Sequence, residues 1–136
     1  MPVSLFDNPV LIALSKQLDS SALTQRVIAN NVANVNTPGF KKSYVSFQDQ
    51  LRRALDARTP AMATSDPRHI GGKADIYMVS PGVVQERETI MRNGQNNVDI
   101  DQEMVNLAAN EIIYDFSANA LSGKLGILGY VIRGGR

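Results

Sequence analysis

Carboxylates are the first residues in this chain whose spacing suggests chemistry. Asp99, Asp101 and Glu103 lie close together, and Asp99 and Glu103 stand one helical turn apart, where two carboxylates could share a face as an acid/base pair. Glu86 and Glu88 form a second acidic couple. A plainer explanation covers every member. In "NNVDIDQEM" Asp99 suits a helix N-cap and Gln102 stands at N3, as in a capping box. Asp101 and Glu103 then fall in the first turn, where the helix dipole favours negative charge. The acidic pairs therefore read as exposed helix-start charges. "DIDQEM" also has the outline of a calcium-binding loop, but Met104 stands at the sixth position, where such a loop needs glycine.

His69, in "SDPRHI", is the only histidine, and the chain has no cysteine. That excludes disulfides, thiolate metal sites and the usual zinc sets. His69 reads as a turn residue, too isolated for a Ser-His-Asp arrangement. Gly123, Gly126 and Gly129 repeat as G-x-x-G-x-x-G, which matches neither nucleotide fingerprint and lies within a helical pattern. Two readings stand: a fraying helix end, or a small-residue face that lets a neighbouring backbone approach closely. The pairs Lys41/Lys42 and Arg52/Arg53 read as a solvated face of a short helix, with a phosphate contact as the alternative. No catalytic, cofactor-binding or metal-binding residue is assigned.

The elements that would carry these residues follow from the prolines and the apolar spacing. With 136 residues the chain suffices for one domain, 1–136, and a formal charge of +1 lacks the basic excess of a nucleic-acid binder. No apolar run approaches the ~18 residues of a membrane span, so no direct membrane insertion is expected. The start, "MPVSLFDNPVLIALSKQLD", lacks the early basic residues and the long apolar stretch of a secretory leader, so any export is expected to proceed without a cleaved signal. Pro9 suits N1 of a helix, with Asp7 or Asn8 as cap. Apolar residues then recur at Leu11, Leu14, Leu18, Ile28, Val32 and Val35, predicting a helix over 9–35, about 40 Å long. Pro38 ends it. A second helix is predicted over 99–132. Its seam is Met104, Leu107, Tyr114, Ala118, Leu121, Leu125, Leu128 and Ile132, at heptad spacing with Glu111 in the one gap. Val105, Ala109, Ile112 and Phe116 add apolar surface beside it.

The stretch 41–98 reads as a variable middle. Tyr44, Phe47, Leu51 and Leu55 share one face of a short helix, 58–75 reads as a flexible loop, and a weak β-hairpin is expected around Pro81-Gly82. The fold expected is mainly α: long N- and C-terminal helices packed as a coiled-coil-like pair, with the short helix, loop and hairpin between them. "TPGF", Thr37 to Phe40, reads as a type II turn, with Pro38 at i+1 and Gly39 supplying positive φ at i+2. It gives the first helix a fixed exit studded with asparagines.

"ANNVANVNTPGF" resembles the N-terminal signature of bacterial flagellar axial proteins, the rod and hook subunits. The matching residues are Asn31, Ala33, Asn34, Asn36, Thr37, Pro38, Gly39 and Phe40. The short length, "SDPRHI" and "NGQNNVDIDQEMVNLAANEIIY" are most similar to the proximal rod proteins of the flagellar basal body. The resemblance implies a non-enzymatic structural subunit, exported unfolded through the flagellar type III apparatus. It would assemble helically with copies of itself and with other rod and basal-body proteins, in the periplasmic drive shaft. "FQDQL" resembles the Phe-x-x-x-hydrophobic gate-recognition motif of early export substrates, with Phe47 and Leu51 in its key positions; an ordinary i, i+4 core pair is the alternative. Two other classes remain beside the rod subunit: a small soluble coiled-coil adaptor or chaperone of a type III secretion system, and a cell-wall hydrolase working through paired carboxylates.

Overall fold

The computed structural model describes residues 8–55, 76–86 and 96–134. Helix α1 spans Pro9–Ala33. It starts where Asn8 accepts the Val10 amide at 2.9 Å and where Pro9, having no N–H to satisfy, takes N1. It stops two residues before the expected end because Asn34 bonds back, its side-chain amide donating to the Asn30 carbonyl at 2.9 Å. The "TPGF" turn then closes as expected, with the Phe40 amide on the Thr37 carbonyl at 3.2 Å and Gly39 at φ 76°.

The C-terminal helix, α3, spans Ile100–Ile132. Asp99 caps it, accepting from Asp101 N–H at 2.9 Å and Gln102 N–H at 3.2 Å. The capping box does not close, because Gln102 donates forward to Asn106 at 3.1 Å instead of back to the cap. Helix geometry continues through Gly123, Gly126 and Gly129. The end comes at Gly134, whose φ of 72° is the left-handed terminator glycine favours.

Between them, β1 (Ser43–Ser46) pairs antiparallel with β2 (Gly82–Gln85), Ser43 against Gln85 and Ser46 against Gly82. Two expectations are corrected here. Pro81-Gly82 does not turn a local hairpin: β2 pairs with a strand that lies nearly forty residues earlier. The Lys42–Glu86 ion pair at 3.3 Å and the Glu86 N–H on the Lys42 carbonyl extend that pairing by one residue. Tyr44 is accordingly on β1, not on the short helix, and Lys41/Lys42 lie outside that helix. The short helix, α2, spans only Gln48–Leu55, and Phe47 precedes it with its carbonyl accepting the Leu51 amide at 2.9 Å. The β-branched Val45, Val83 and Val84 favour extended chain on both strands. The expected flexible loop over 58–75 with His69, and the stretch 87–95 with Glu88, lie outside the described residues.

Helices α1 and α3 pack antiparallel: Asn31 meets Glu103, Ser21 meets Asn110, and Leu11 and Ile12 share a groove with Leu121 and Leu125. The buried apolar set is small, with Val27 and Ile28 of α1 and Phe47, Ile76, Val79 and Val98 from the middle. Phe47 is the largest of these, at 2% exposure; burying such a ring contributes about 1.5–3 kcal/mol. Lys16 fastens the turn at 76–79 to α1, its ammonium donating to the carbonyls of Tyr77 at 3.0 Å and Val79. The exit of α1 is fastened from the other side. Asn96 donates to the carbonyls of Asn34 at 3.1 Å and of Val35, and Asn97 accepts the Lys42 amide at 2.7 Å.

Asn96 thereby adds a second donor to the Asn34 carbonyl, which already accepts the Thr37 amide, and meets the Val35 carbonyl just past the helix end. Replacing it, Asn96→Ala, should speed hydrogen exchange at the Thr37 and Phe40 amides by roughly tenfold, about one net hydrogen bond. Unchanged exchange there would show that the turn holds itself.

Candidate assembly interface

The α1–α3 seam is polar at its centre. On α3 the buried positions are Glu103, Asn110 and Ser117, at heptad spacing. On α1 they face Ser20, Ser21 and Asn31, with Thr24 beside them. Every buried polar atom among the described residues has a partner, as a buried polar group requires. Asn110 donates to the Ser21 carbonyl at 3.0 Å, while Ser117 and Thr24 return their hydroxyls to carbonyls of their own helices, Ile113 and Ser20, at 2.7 and 2.8 Å.

Asn31 is the joint of the whole arrangement. Its amide nitrogen donates to Glu103 at 2.9 Å and to the Ser43 carbonyl at 2.8 Å, and its oxygen accepts the Ser43 amide at 3.0 Å. One carboxamide, with both hydrogens and its oxygen engaged, ties α1 to α3 and to the free edge of β1. Toward Ser43 it acts as a neighbouring strand would. Glu103 is correspondingly buried, at 4% exposure. The expectation that all the acidic pairs are exposed is thus corrected for Glu103. Helix α1 covers it because Asn31 offers a donor where an apolar residue would not.

The Asp99 and Glu103 carboxylates of the hydrolase reading do not line one groove together. The open groove between α1, β1 and α3 has Glu103 and Asp49 as its carboxylates; Glu103 is engaged by Asn31, Asp49 is exposed, and Asp99 and Asp101 are not in the lining. No cluster of three or more metal-ligating residues occurs among the described residues, and no helix among them is long and apolar enough to cross a membrane.

The expected apolar seam of α3 lies one residue off the covered positions. Leu107, Ala118, Leu121 and Leu128 are half-buried, whereas Met104, Tyr114, Leu125 and Ile132 stay exposed. The shift has a direct cause: α1 presents small and hydrogen-bonding side chains, so polar partners fit and larger apolar ones turn outward. On α1, Leu11 and Ile28 are buried and Leu14, Leu18 and Val32 half-buried, with Val35 half-buried in the exit. Val105, Ile112 and Phe116 are exposed as well, Ile112 and Phe116 more than any of these. Of the glycines, Gly123 and Gly126 face open space, and only Gly129 has a side chain near, Arg133.

The signature residues divide by role. Asn31 is buried, Asn34 and Phe40 are half-buried, and Ala33, Asn36, Thr37, Pro38 and Gly39 are exposed. Phe47 is buried and Leu51 half-buried. Sequence reasoning singled out neither Asn96 and Asn97 nor Ser21, Asn110 and Ser117. The one signal for the last two was their heptad register with Glu103.

The chain is an antiparallel pair of long helices that leaves large apolar side chains exposed. Residues 20–41, which contain the Asn31 joint and the turn, match the flagella basal body rod protein family. The flagellar basal body rod protein FlgB of Borrelia hermsii is 37% identical over 86% of this chain and 90% of its own length. That of Bacillus subtilis is 35% identical over 98% of this chain and all of its own, and that of Escherichia coli 29% over 79% and 81%. The chain belongs to the FlgB family of flagellar basal body rod proteins.

Asn31→Ala should destabilise the protein by about 3 kcal/mol, because it strands Glu103 and both polar groups of Ser43, each worth about 1–3 kcal/mol when buried and unpaired. The exposed neighbour change Asn30→Ala should stay within about 0.5 kcal/mol. Urea unfolding of the two variants gives the comparison, and equal midpoints would remove Asn31 from its place as the joint.

Proposed function

We infer that this chain is a structural subunit of the flagellar basal body rod, assembling with copies of itself and with other rod and basal-body proteins into a shaft that carries torque. The supporting observation is the uncovered apolar surface of α3: Ile112, Phe116, Tyr130 and Ile132 stay exposed, while the positions it buries are Glu103, Asn110 and Ser117. Burying that exterior against successive neighbours in a contact that does not close gives a helical stack. The work is mechanical, with no reaction assigned to any side chain. The proposed place is the periplasmic part of the basal body, reached without a cleaved signal. The small-residue face at Gly123 and Gly126 is proposed as a place of close approach. A soluble adaptor or chaperone of the same export system would instead remain outside the finished structure.

Deleting the chromosomal copy and complementing with this chain tests the assignment. Basal bodies purified from the complemented strain should contain the chain at the base of the rod, and the deletion strain should lack rods. Leu125→Asp, which puts a charge into an apolar contact at a cost of several kcal/mol, should be exported normally yet fail to restore motility. Rods of normal appearance without the chain would favour the adaptor.

Phe47 and Leu51 are proposed as the export-gate motif, readable only while this region is unfolded, since Phe47 is buried in the folded chain. The double change Phe47→Ala with Leu51→Ala should lower the amount secreted. A purely structural role predicts the opposite, because losing a core ring costs about 3–5 kcal/mol and leaves the chain easier to unfold. Secretion at or above the parental level would therefore remove the gate assignment.

A further inference from the structure

Helix α3 carries a second seam that the chain itself does not use. Starting two residues after Glu103, about 200° round the helix from the covered face, positions 105, 109, 112, 116, 119, 123, 126 and 130 recur at alternating steps of four and three. All eight are exposed. The large members are Val105, Ile112, Phe116 and Tyr130, at 62%, 71%, 72% and 58% exposure. The others are Ala109, Asn119, Gly123 and Gly126, and an added Cβ at either glycine would meet nothing within 4 Å. No member is charged, and Asn119 is the one carboxamide.

We propose that this stripe is the dimer interface of the free protein, covered by the same stripe of a second copy running antiparallel. The order of the residues selects that occupant. In the register centred between Ser117 and Ala118, Val105 faces Tyr130 of the second copy, Ala109 faces Gly126, Ile112 faces Gly123 and Phe116 faces Asn119. Ile112 and Phe116 each meet a smaller residue, which is how close-packed interiors fill space. The two copies of Asn119 flank the two-fold axis, offset by about 4.5 Å along the helix direction at ~1.5 Å per residue. There one carboxamide can donate to the other, and a polar pair at the centre of an apolar seam fixes register at some cost in stability. A parallel, in-register pair would also match Asn119 with itself. It would, however, stack Phe116 on Phe116 and set each glycine against a glycine, leaving a gap from Gly123 to Gly126.

Charge points the same way. The antiparallel end layer places Asp101 and Gln102 near Arg133 of the second copy, so opposite charges meet at both ends, whereas a parallel pair sets Arg133 against Arg133. The register also alternates the two heptad positions across the interface, as antiparallel pairing requires. Gly123 and Gly126 thus gain a role as receiving notches for Ile112 and Ala109, whereas Gly129, with Arg133 beside it, lies off the stripe.

The full-length chain is tested directly. Sedimentation equilibrium should show reversible monomer–dimer behaviour, and Gly123→Leu with Gly126→Leu, which fills the notches while leaving the monomer's surroundings open, should weaken the dimer at least tenfold. Because the chain has no cysteine, register is read by disulfide trapping. A mixture of the single variants Val105→Cys and Tyr130→Cys should cross-link one to the other, and Val105→Cys alone should not cross-link to itself. A strict monomer at about 100 µM overturns the proposal, and so does self-linking of Val105→Cys, which signals a parallel pair. Cross-linking or sedimentation unaffected by the two leucines overturns it as well. An unmodified chain that stays monomeric yet restores motility would count against this interface alone and leave the rod assignment standing.

Discussion

The fold depends on a single carboxamide. Asn31 has two hydrogens and one oxygen, and each is spent on a different partner: Glu103 on α3, and the carbonyl and amide of Ser43 on β1. Those bonds fix where the hairpin closes and hold the sheet against it. Without them α3 would have no reason to present a carboxylate to α1, because a buried carboxyl group is tolerated only when its lone pairs are met. The asparagines around the joint act on the same spot: Asn34 ends α1, and Asn96 and Asn97 hold the chain as it leaves.

Serine, threonine and asparagine occupy the buried positions of the seam, and Met104, Ile112, Phe116 and Tyr130 lie on uncovered faces of α3. In a protein meant to stay alone this would be an aggregation hazard. In the rod role proposed above it is surface for neighbouring subunits to cover.

The sequence made the two long helices legible because their caps, prolines and periodicity agree with one another. The "TPGF" turn was readable because Pro38 and Gly39 each have one conformational job. Three things resisted. The strand pairing joins Tyr44 to Val84, and no local signal links residues so far apart. The inner seam was displaced by one residue because apolar periodicity is read as burial, and here the buried positions are Glu103, Asn110 and Ser117. The asparagine joint was visible as a pattern and through its family resemblance, but which Asn turned inward depended on contacts with α3.

The joint also sets an order of events in time. Asn31 and Glu103 are separated by 72 positions along the chain, and Asn96 closes on the exit of α1 from a similar remove. A chain emerging from its N-terminus therefore presents α1 long before anything exists for it to dock against. Its native closure is a late event, delayed by the entropy of bringing such distant segments together. Until then α1 is a solitary helix of 25 residues whose Asn31 bonds only to water and, at most, to nearby Ser43. The last third of the chain acts as a clock: the molecule cannot become itself until α3 has arrived.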